Sequence, residues 1–122
     1  SVMTFTSTEN HYGHTGDRMP AFLLLGGTSR LIAYMGQPKD HNGACTMTAP
    51  GLPVNATAHV SAQLKGPTFT LHVNGKLECT IDGYSSKYPP MQNVRMWVGD
   101  KFNEAANAFV ANVCYKALQG AT

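Results

Sequence analysis

The chain has 122 residues, which fits a single domain, residues 1–122, with its own hydrophobic core. Charged residues make up only 13% of the sequence, and no two of its nine Lys and Arg residues are adjacent. Nucleic acids and anionic membranes select clustered cations, so this composition argues against both as partners. The longest apolar run, Ala21–Leu25, is too short to span a bilayer, and we expect no membrane insertion.

Short alternating segments separated by turn residues recur along the chain, and such segments are typical of β-strands. Gly26–Ser29 has the composition of a tight turn between two of them. The predicted strands are Val2–Ser7, Ala21–Leu25, Arg30–Met35, Ala44–Thr48, Ala58–Leu64, Thr68–Val73, Lys76–Ile81, Val94–Val98 and Phe109–Tyr115. Many short strands with frequent turns predict an all-β protein built as an antiparallel β-sandwich.

The hairpin around Gly66 can be predicted at the level of register. Pairing Leu64 with Phe69 also pairs Ala62 with Leu71 and Val60 with Val73, so the apolar side chains share one face. The opposite face then carries polar side chains. They are His59, Ser61, Gln63, Thr70, His72, Lys76 and Glu78. This alternation predicts an antiparallel sheet with one wet face.

The Asn74-Gly75 turn that follows poses a register problem. A two-residue loop would pair Leu71 with Glu78 and so mix apolar and charged residues on one face. We therefore expect a three-residue loop, Val73–Gly75, with glycine in the bulge position. This loop would pair Leu71 with Leu77 and Phe69 with Cys79, which keeps all four side chains in the core.

Four motifs in order resemble the second half of a laminin G-like domain. They are His59-Val-Ser-Ala-Gln63, Gly66-Pro-Thr-Phe-Thr-Leu-His-Val-Asn-Gly-Lys-Leu77, Val94-Arg-Met-Trp-Val-Gly99 and Ala111-Asn-Val-Cys-Tyr-Lys-Ala-Leu118. The resemblance covers residues 58–118 and implies a concanavalin A-like jelly roll that binds glycans or proteins outside cells without catalysis. Two features depart from the family: Thr57-Ala58 replaces an aromatic residue before the first motif, and the chain is short.

The cysteines and one asparagine bear on the compartment. Cys45, Cys79 and Cys114 lack zinc-site spacing, and one disulfide with a leftover thiol or three buried thiols would both fit. Asn55–Thr57 matches the acceptor tripeptide for N-glycosylation. These features favour an extracellular or secreted glycoprotein. The sequence starts at Ser1 without an apolar leader, so we expect that it does not include a signal peptide.

Catalytic and metal-binding patterns are weak. The seven acidic residues include no pair at alternate strand positions, as a retaining glycosidase would need, and Glu78 and Asp82 would share a face only on an unbroken strand. We therefore expect no enzyme activity and no obligatory cofactor. His11 and His14, together with Asp17 and Asp40-His41, could form a metal site. The resemblance implies a calcium site in some family members, for which Asp17 and Asp100 are the candidate ligands.

The candidate ligand-binding surface is the polar face of the predicted hairpins, with aromatic side chains added from elsewhere. Its proposed contacts are His59, Ser61, Gln63, Thr70, His72, Tyr84, Tyr88 and Trp97. Small polar groups suit sugar hydroxyls, and Trp97 could stack on a sugar ring; an ordinary solvated sheet face has the same composition. The sequence thus predicts a lectin-like carbohydrate-binding or cell-adhesion module that binds a glycan or an extracellular protein. A structural subunit of an extracellular assembly, which forms homo-oligomers, is the alternative, and a polysaccharide hydrolase is a third.

Overall fold

The computed structural model describes residues 1–6, 19–36, 43–83, 94–98, 106 and 108–115. These residues form eight strands and no helix. The strands are β1 (Met3–Thr6), β2 (Ala21–Leu24), β3 (Leu31–Tyr34), β4 (Ala44–Thr46), β5 (Val60–Lys65), β6 (Thr68–Val73), β7 (Lys76–Ile81) and β8 (Arg95–Val98). Neighbouring strands are antiparallel in both sheets, which have the orders β4-β3-β2-β1-β8 and β5-β6-β7. The predicted all-β fold is confirmed, and its architecture is that of a sandwich.

The two sheets pack against each other through one apolar cluster. Its buried members are Leu31, Ala33, Met35, Cys45, Met47, Phe69, Leu71 and Val73. Side chains of β2 and β5 pack around this cluster and are partly buried. The three-stranded sheet therefore lies over β4, β3 and β2. No side chain of β8 belongs to the cluster in the described part of the chain.

The β5–β6 hairpin has the register that the sequence predicts. Leu64 pairs with Phe69, Ala62 with Leu71 and Val60 with Val73. Lys65 pairs with Thr68 across a turn in which Gly66 has a φ of 58°. Apolar side chains alternate along both strands with polar ones that are exposed on β5 and half-buried on β6, as expected for a sheet with one wet face.

The predicted three-residue loop between β6 and β7 is wrong. Val73 pairs with Lys76, and Asn74 and Gly75 both have positive φ, 52° and 80°, as a two-residue type I′ turn requires. The register changes farther along, because β7 contains a β-bulge between the pairs His72–Leu77 and Leu71–Cys79. The bulge lets the chain keep the favoured Asn-Gly turn and still direct alternate residues to the core.

The bulge also corrects the predicted pairs and faces on β7. Phe69 pairs with Ile81, not Cys79, and Leu71 pairs with Cys79, not Leu77. Leu77 lies opposite His72 and is 51% exposed, so its predicted place in the core is wrong. Glu78 is the extra residue of the bulge and has no partner in β6.

The β2–β3 hairpin is confirmed, whereas the last predicted strand is not present. Residues 25–30 connect β2 to β3, and the hydroxyl of Thr28 donates to the carbonyl of Leu25 at 2.8 Å. Residues 109–115 are exposed and belong to no strand. Strand-like composition alone does not place a segment in a sheet, because the ladder also needs a neighbouring strand with unpaired backbone groups.

Candidate functional site

The outer face of the three-stranded sheet presents polar side chains in three rows. The rows run across the strands as Ser61–His72–Leu77, Gln63–Thr70–Thr80 and Lys65–Thr68–Asp82, and the first two follow directly from the pairing. The hydroxyl of Thr68 donates to the Asp82 carboxylate at 2.8 Å, which fixes the third row. We call this surface the polar face. It brings together the predicted contacts Ser61, Gln63, Thr70 and His72.

His59 joins the polar face through the backbone. Its amide N–H donates to the side-chain oxygen of Asn74 at 2.9 Å, and its carbonyl accepts from the Asn74 amide at 2.8 Å. These two bonds extend the β5–β6 ladder by one pair. The same side chain that permits the positive φ of the turn therefore also holds His59 at the end of the sheet.

Glu78 does not belong to the polar face, contrary to the sequence prediction. Its carboxylate accepts hydrogen bonds from the Thr48 hydroxyl at 2.6 Å and the Thr48 amide at 3.0 Å, and its side chain is only 5% exposed. The Lys76 ammonium nitrogen lies 3.8 Å from the Oε2 atom of this carboxylate. The Thr48 hydroxyl and amide, followed by the Lys76 charge, lower the pKa of this carboxyl below 4.5 against the opposing effect of desolvation. Glu78 is thus a link between β7 and the segment after β4.

A disulfide lies beside this polar link. Cys45 of β4 and Cys79 of β7 are bonded, with their Cα atoms 5.7 Å apart. Each strand is at the end of its sheet in the described topology, so the bond closes one side of the sandwich. Cys114 is a free, exposed thiol. Of the alternatives that the sequence left open, the structure has one disulfide and a leftover thiol.

Trp97 lies on the other sheet, away from the polar face. Trp97 is on β8 and pairs with Thr4 of β1, while Val98 pairs with Met3 of the same strand β1. Met3 also pairs with Phe22, which packs against the core cluster, so Val98 and Met96 are on the inner face of the sheet and Trp97 is on the outer face. The sequence predicts that Trp97 adds to the polar face. This prediction is wrong, because the two lie on different sheets.

The inner face of β8 is not covered by the three-stranded sheet. Met96 is 49% exposed and Val98 is 72% exposed, although both point to the side on which the core lies. On the neighbouring β1, the ring of Phe5 stacks against Tyr115, with ring centroids 4.6 Å apart. Partial burial raises the pKa of the Tyr115 phenol above 10.0.

Most of the exposed large apolar side chains are in β8 and the segment that contains Tyr115. They are Met96, Trp97, Val98, Phe109, Val110, Val113 and Tyr115. We call this set the β8 surface; it includes both faces of the strand, because Trp97 is on the outer face and Met96 and Val98 are on the inner face. Monomeric proteins rarely leave apolar side chains concentrated in this way, and such concentrations mark interaction sites. Sequence reasoning identified Trp97 but missed the others, because their strand-like pattern suggested burial.

Several predicted site residues lie outside the described residues. They are His11, His14, Asp17, Asp40, His41, Tyr84, Tyr88 and Asp100. Both metal predictions and the two tyrosine contacts therefore stay predictions. Within the described ranges, no three His, Cys, Asp or Glu side chains are grouped as a metal site would require. Asn55 is in an exposed turn with a φ of 57°.

The two acids considered for a hydrolase are separated by the bulge. Glu78 faces Thr48, whereas Asp82 is bonded to Thr68 on the polar face. The unbroken strand that would have placed them together is absent.

Comparison with known proteins adds no relative. No protein-family model matches the chain, and no curated protein or solved structure is significantly similar to it. In the part of the chain that the structure describes, no helix is long and apolar enough to cross a membrane.

Proposed function

We propose that the protein is a non-catalytic recognition or adhesion module of the extracellular space that binds a protein surface through the β8 surface. The observation that carries this proposal is the exposure of Met96, Trp97 and Val98 on one short strand. Burial of such side chains against a partner contributes about 25 cal/mol per Å² of apolar area before the costs of association.

The chemistry of β8 fits a protein partner. Trp, Arg and Met are enriched where proteins meet, and β8 contains one of each in Arg95, Met96 and Trp97. β8 also has β1 as its one hydrogen-bonded neighbour among the described strands. An edge strand can accept an extended segment of a partner by strand addition, with the apolar side chains giving specificity.

The finer fold proposal is a laminin G-like jelly roll. The antiparallel sandwich supports it, as do the β6–β7 hairpin with its Asn-Gly turn and the position of Arg95–Val98 in the opposite sheet. Family-level likeness would place the module among extracellular proteins, but fold likeness alone does not determine a ligand. The β8 surface, rather than the fold, is the argument for a protein partner.

The compartment proposal rests on the disulfide. The Cys45–Cys79 bond between two sheets is compatible with folding in an oxidising environment, where such bonds form and persist. We therefore propose secretion, with an extracellular site of action.

A glycan on the polar face is the second candidate. The three rows supply hydroxyl, amide and imidazole groups that can donate to and accept from sugar hydroxyls. Leu77 lies among them where the sequence predicted only polar groups, and the described part of the face has no Trp, Tyr or Phe for stacking on a sugar ring. For this reason the polar face ranks second.

A cell-binding experiment tests the class of partner. Fluorescently labelled protein is added to untreated cells, to cells treated with protease and to cells treated with glycosidases. Each measurement is made once in the presence of calcium and once in the presence of a chelator. We expect protease to remove the binding and glycosidases to leave it. Binding that survives protease but not glycosidases would reject the protein partner in favour of the glycan.

Light scattering on the purified chain tests the assembly alternative. If the β8 surface binds another class of protein, the chain stays monomeric at concentrations at which it binds cells. Large species that disappear in Val98→Lys would instead show that copies of the chain are the partner.

A further inference from the structure

Asn55 has the accessibility that a modification site needs. It occupies a turn in which residues 53–57 are all exposed, and the neighbouring Val54 is 77% exposed. Neither the Asn55 amide nor the Thr57 hydroxyl makes a hydrogen bond within the described part of the chain. Attachment of a bulky group to Asn55 would therefore break no contact of the fold.

The tripeptide and the disulfide are two independent observations that agree. Asn55–Thr57 is the one Asn-x-Ser/Thr tripeptide in the sequence. The Cys45–Cys79 bond fits folding in an oxidising secretory compartment, which is also where sugars are added to such tripeptides. The positive φ of Asn55 is compatible with this role, because asparagine adopts the left-handed conformation more readily than most residues do.

We infer that Asn55 carries an N-linked glycan that covers the start of β5. The donor is an oligosaccharide whose reducing-end carbon is bound to a lipid-linked diphosphate. The Asn55 side-chain nitrogen bonds to that carbon, the carbon–oxygen bond to the diphosphate breaks, and the nitrogen gives up one proton as the diphosphate leaves. No oxidant or reductant takes part.

The position gives the glycan a structural effect. β5 is at one end of the three-stranded sheet and has β6 as its one described neighbour. Unpaired edge strands are sites of unwanted strand pairing, and bulky solvated groups beside them prevent it. A glycan at Asn55 would shield Val54 and the start of β5, and would leave β8 on the other sheet accessible.

The test is expression of the full chain behind a cleavable secretion signal in animal cells, followed by mass analysis of both the secreted and the retained protein. We expect a set of masses separated by sugar units, which an amidase specific for N-glycans converts to a single species with Asp at position 55. Thr57→Ala should lose the added mass, whereas the conservative Thr57→Ser should keep it.

The outcome separates this inference from the proposed function, with which it shares only the secretory route. Wild-type protein that contains the Cys45–Cys79 bond but no sugar at Asn55, in either fraction, would overturn the inference whether or not the protein binds cells. A glycan at Asn55 with no binding to cells would support the inference and count against the β8 proposal.

Discussion

The Glu78 carboxylate links β7 to the segment that follows β4. It accepts from the Thr48 hydroxyl and amide and lies near Lys76 of its own strand, which has β6 as its one neighbour among the described strands. This arrangement depends on the bulge, which removes Glu78 from the alternation of β7. A residue that looked like a member of the solvated face is therefore part of the connection between sheets.

Replacement of Glu78 by Gln should reduce the pH dependence of the unfolding free energy. The folded-state pKa of Glu78 is lowered below 4.5, so the carboxylate stabilises the fold above that pH, and this contribution is lost as the pH falls through the lowered value. Urea unfolding at neutral pH and below pH 4.5 measures the effect. The wild type should lose more stability on acidification than Glu78→Gln.

Thr48→Val is the matched variant, because it removes the hydroxyl donor and keeps the amide. It should also flatten the pH profile, to a smaller extent. Parallel profiles for the wild type and both variants would show that the contact contributes nothing to stability.

Gly51 is required at a close approach of two segments. Its φ is +110°, and an added Cβ would lie 2.7 Å from the Ser29 carbonyl carbon and hydroxyl oxygen. Gly51→Ala should therefore destabilise the protein by about 1–3 kcal/mol. Gly26→Ala is the control, since a Cβ there meets nothing within 4 Å. Equal urea midpoints for the two variants would contradict the predicted clash.

At the scale of elements, the alternation of apolar and polar residues was enough to predict the register of a single hairpin. The β5–β6 register was correct in every predicted pair, because one assignment buried all its apolar residues and exposed the polar ones. The prediction for the β6–β7 hairpin was wrong because it assumed that the turn type sets the register of the whole hairpin. An internal bulge at Glu78 satisfies both requirements, and no residue in the sequence marks its position.

The candidate site was less predictable for a related reason. Contacts such as Thr48–Glu78 and Cys45–Cys79 join residues 30 and 34 positions apart, and they depend on which strands end each sheet. Strand patterns give the faces of single hairpins but not the offset between two sheets. The exposure of Met96 and Val98 follows from that offset, so the sequence could not indicate it.

The disulfide between β4 and β7 should contribute a large part of the free energy of unfolding. It closes a loop with a sequence separation of 34, for which chain entropy predicts a stabilisation of about 3–4 kcal/mol. The double variant Cys45→Ala/Cys79→Ala should lose about this amount in urea unfolding followed by the fluorescence of Trp97. Cys114→Ser should unfold like the wild type, because that thiol is free and exposed.

Alkylation gives a second readout for the same bond. Native protein should take up one alkyl group, at Cys114, and reduced, unfolded protein should take up three. Uptake at Cys45 or Cys79 without reduction would contradict the assigned pairing.

At the scale of the whole molecule, the offset between the sheets determines which surfaces are available. The three-stranded sheet and the disulfide protect β2, β3 and β4, and the polar face is directed outward. β8 remains at the far end of the larger sheet with apolar side chains exposed. The proposed function follows from this asymmetry: one end of the sandwich is closed, and the other has the composition of an interface.

The most direct test compares variants of the two surfaces by the apparent dissociation constant for cells that bind the protein. Trp97→Ala and Val98→Lys alter the β8 surface, whereas Gln63→Ala and His72→Ala alter the polar face, and all four should match the wild type in urea unfolding. Interface hot spots of this kind lower affinity by about tenfold or more when truncated. We predict that loss for both β8 variants and unchanged affinity for the polar-face variants; the reverse pattern would contradict the account.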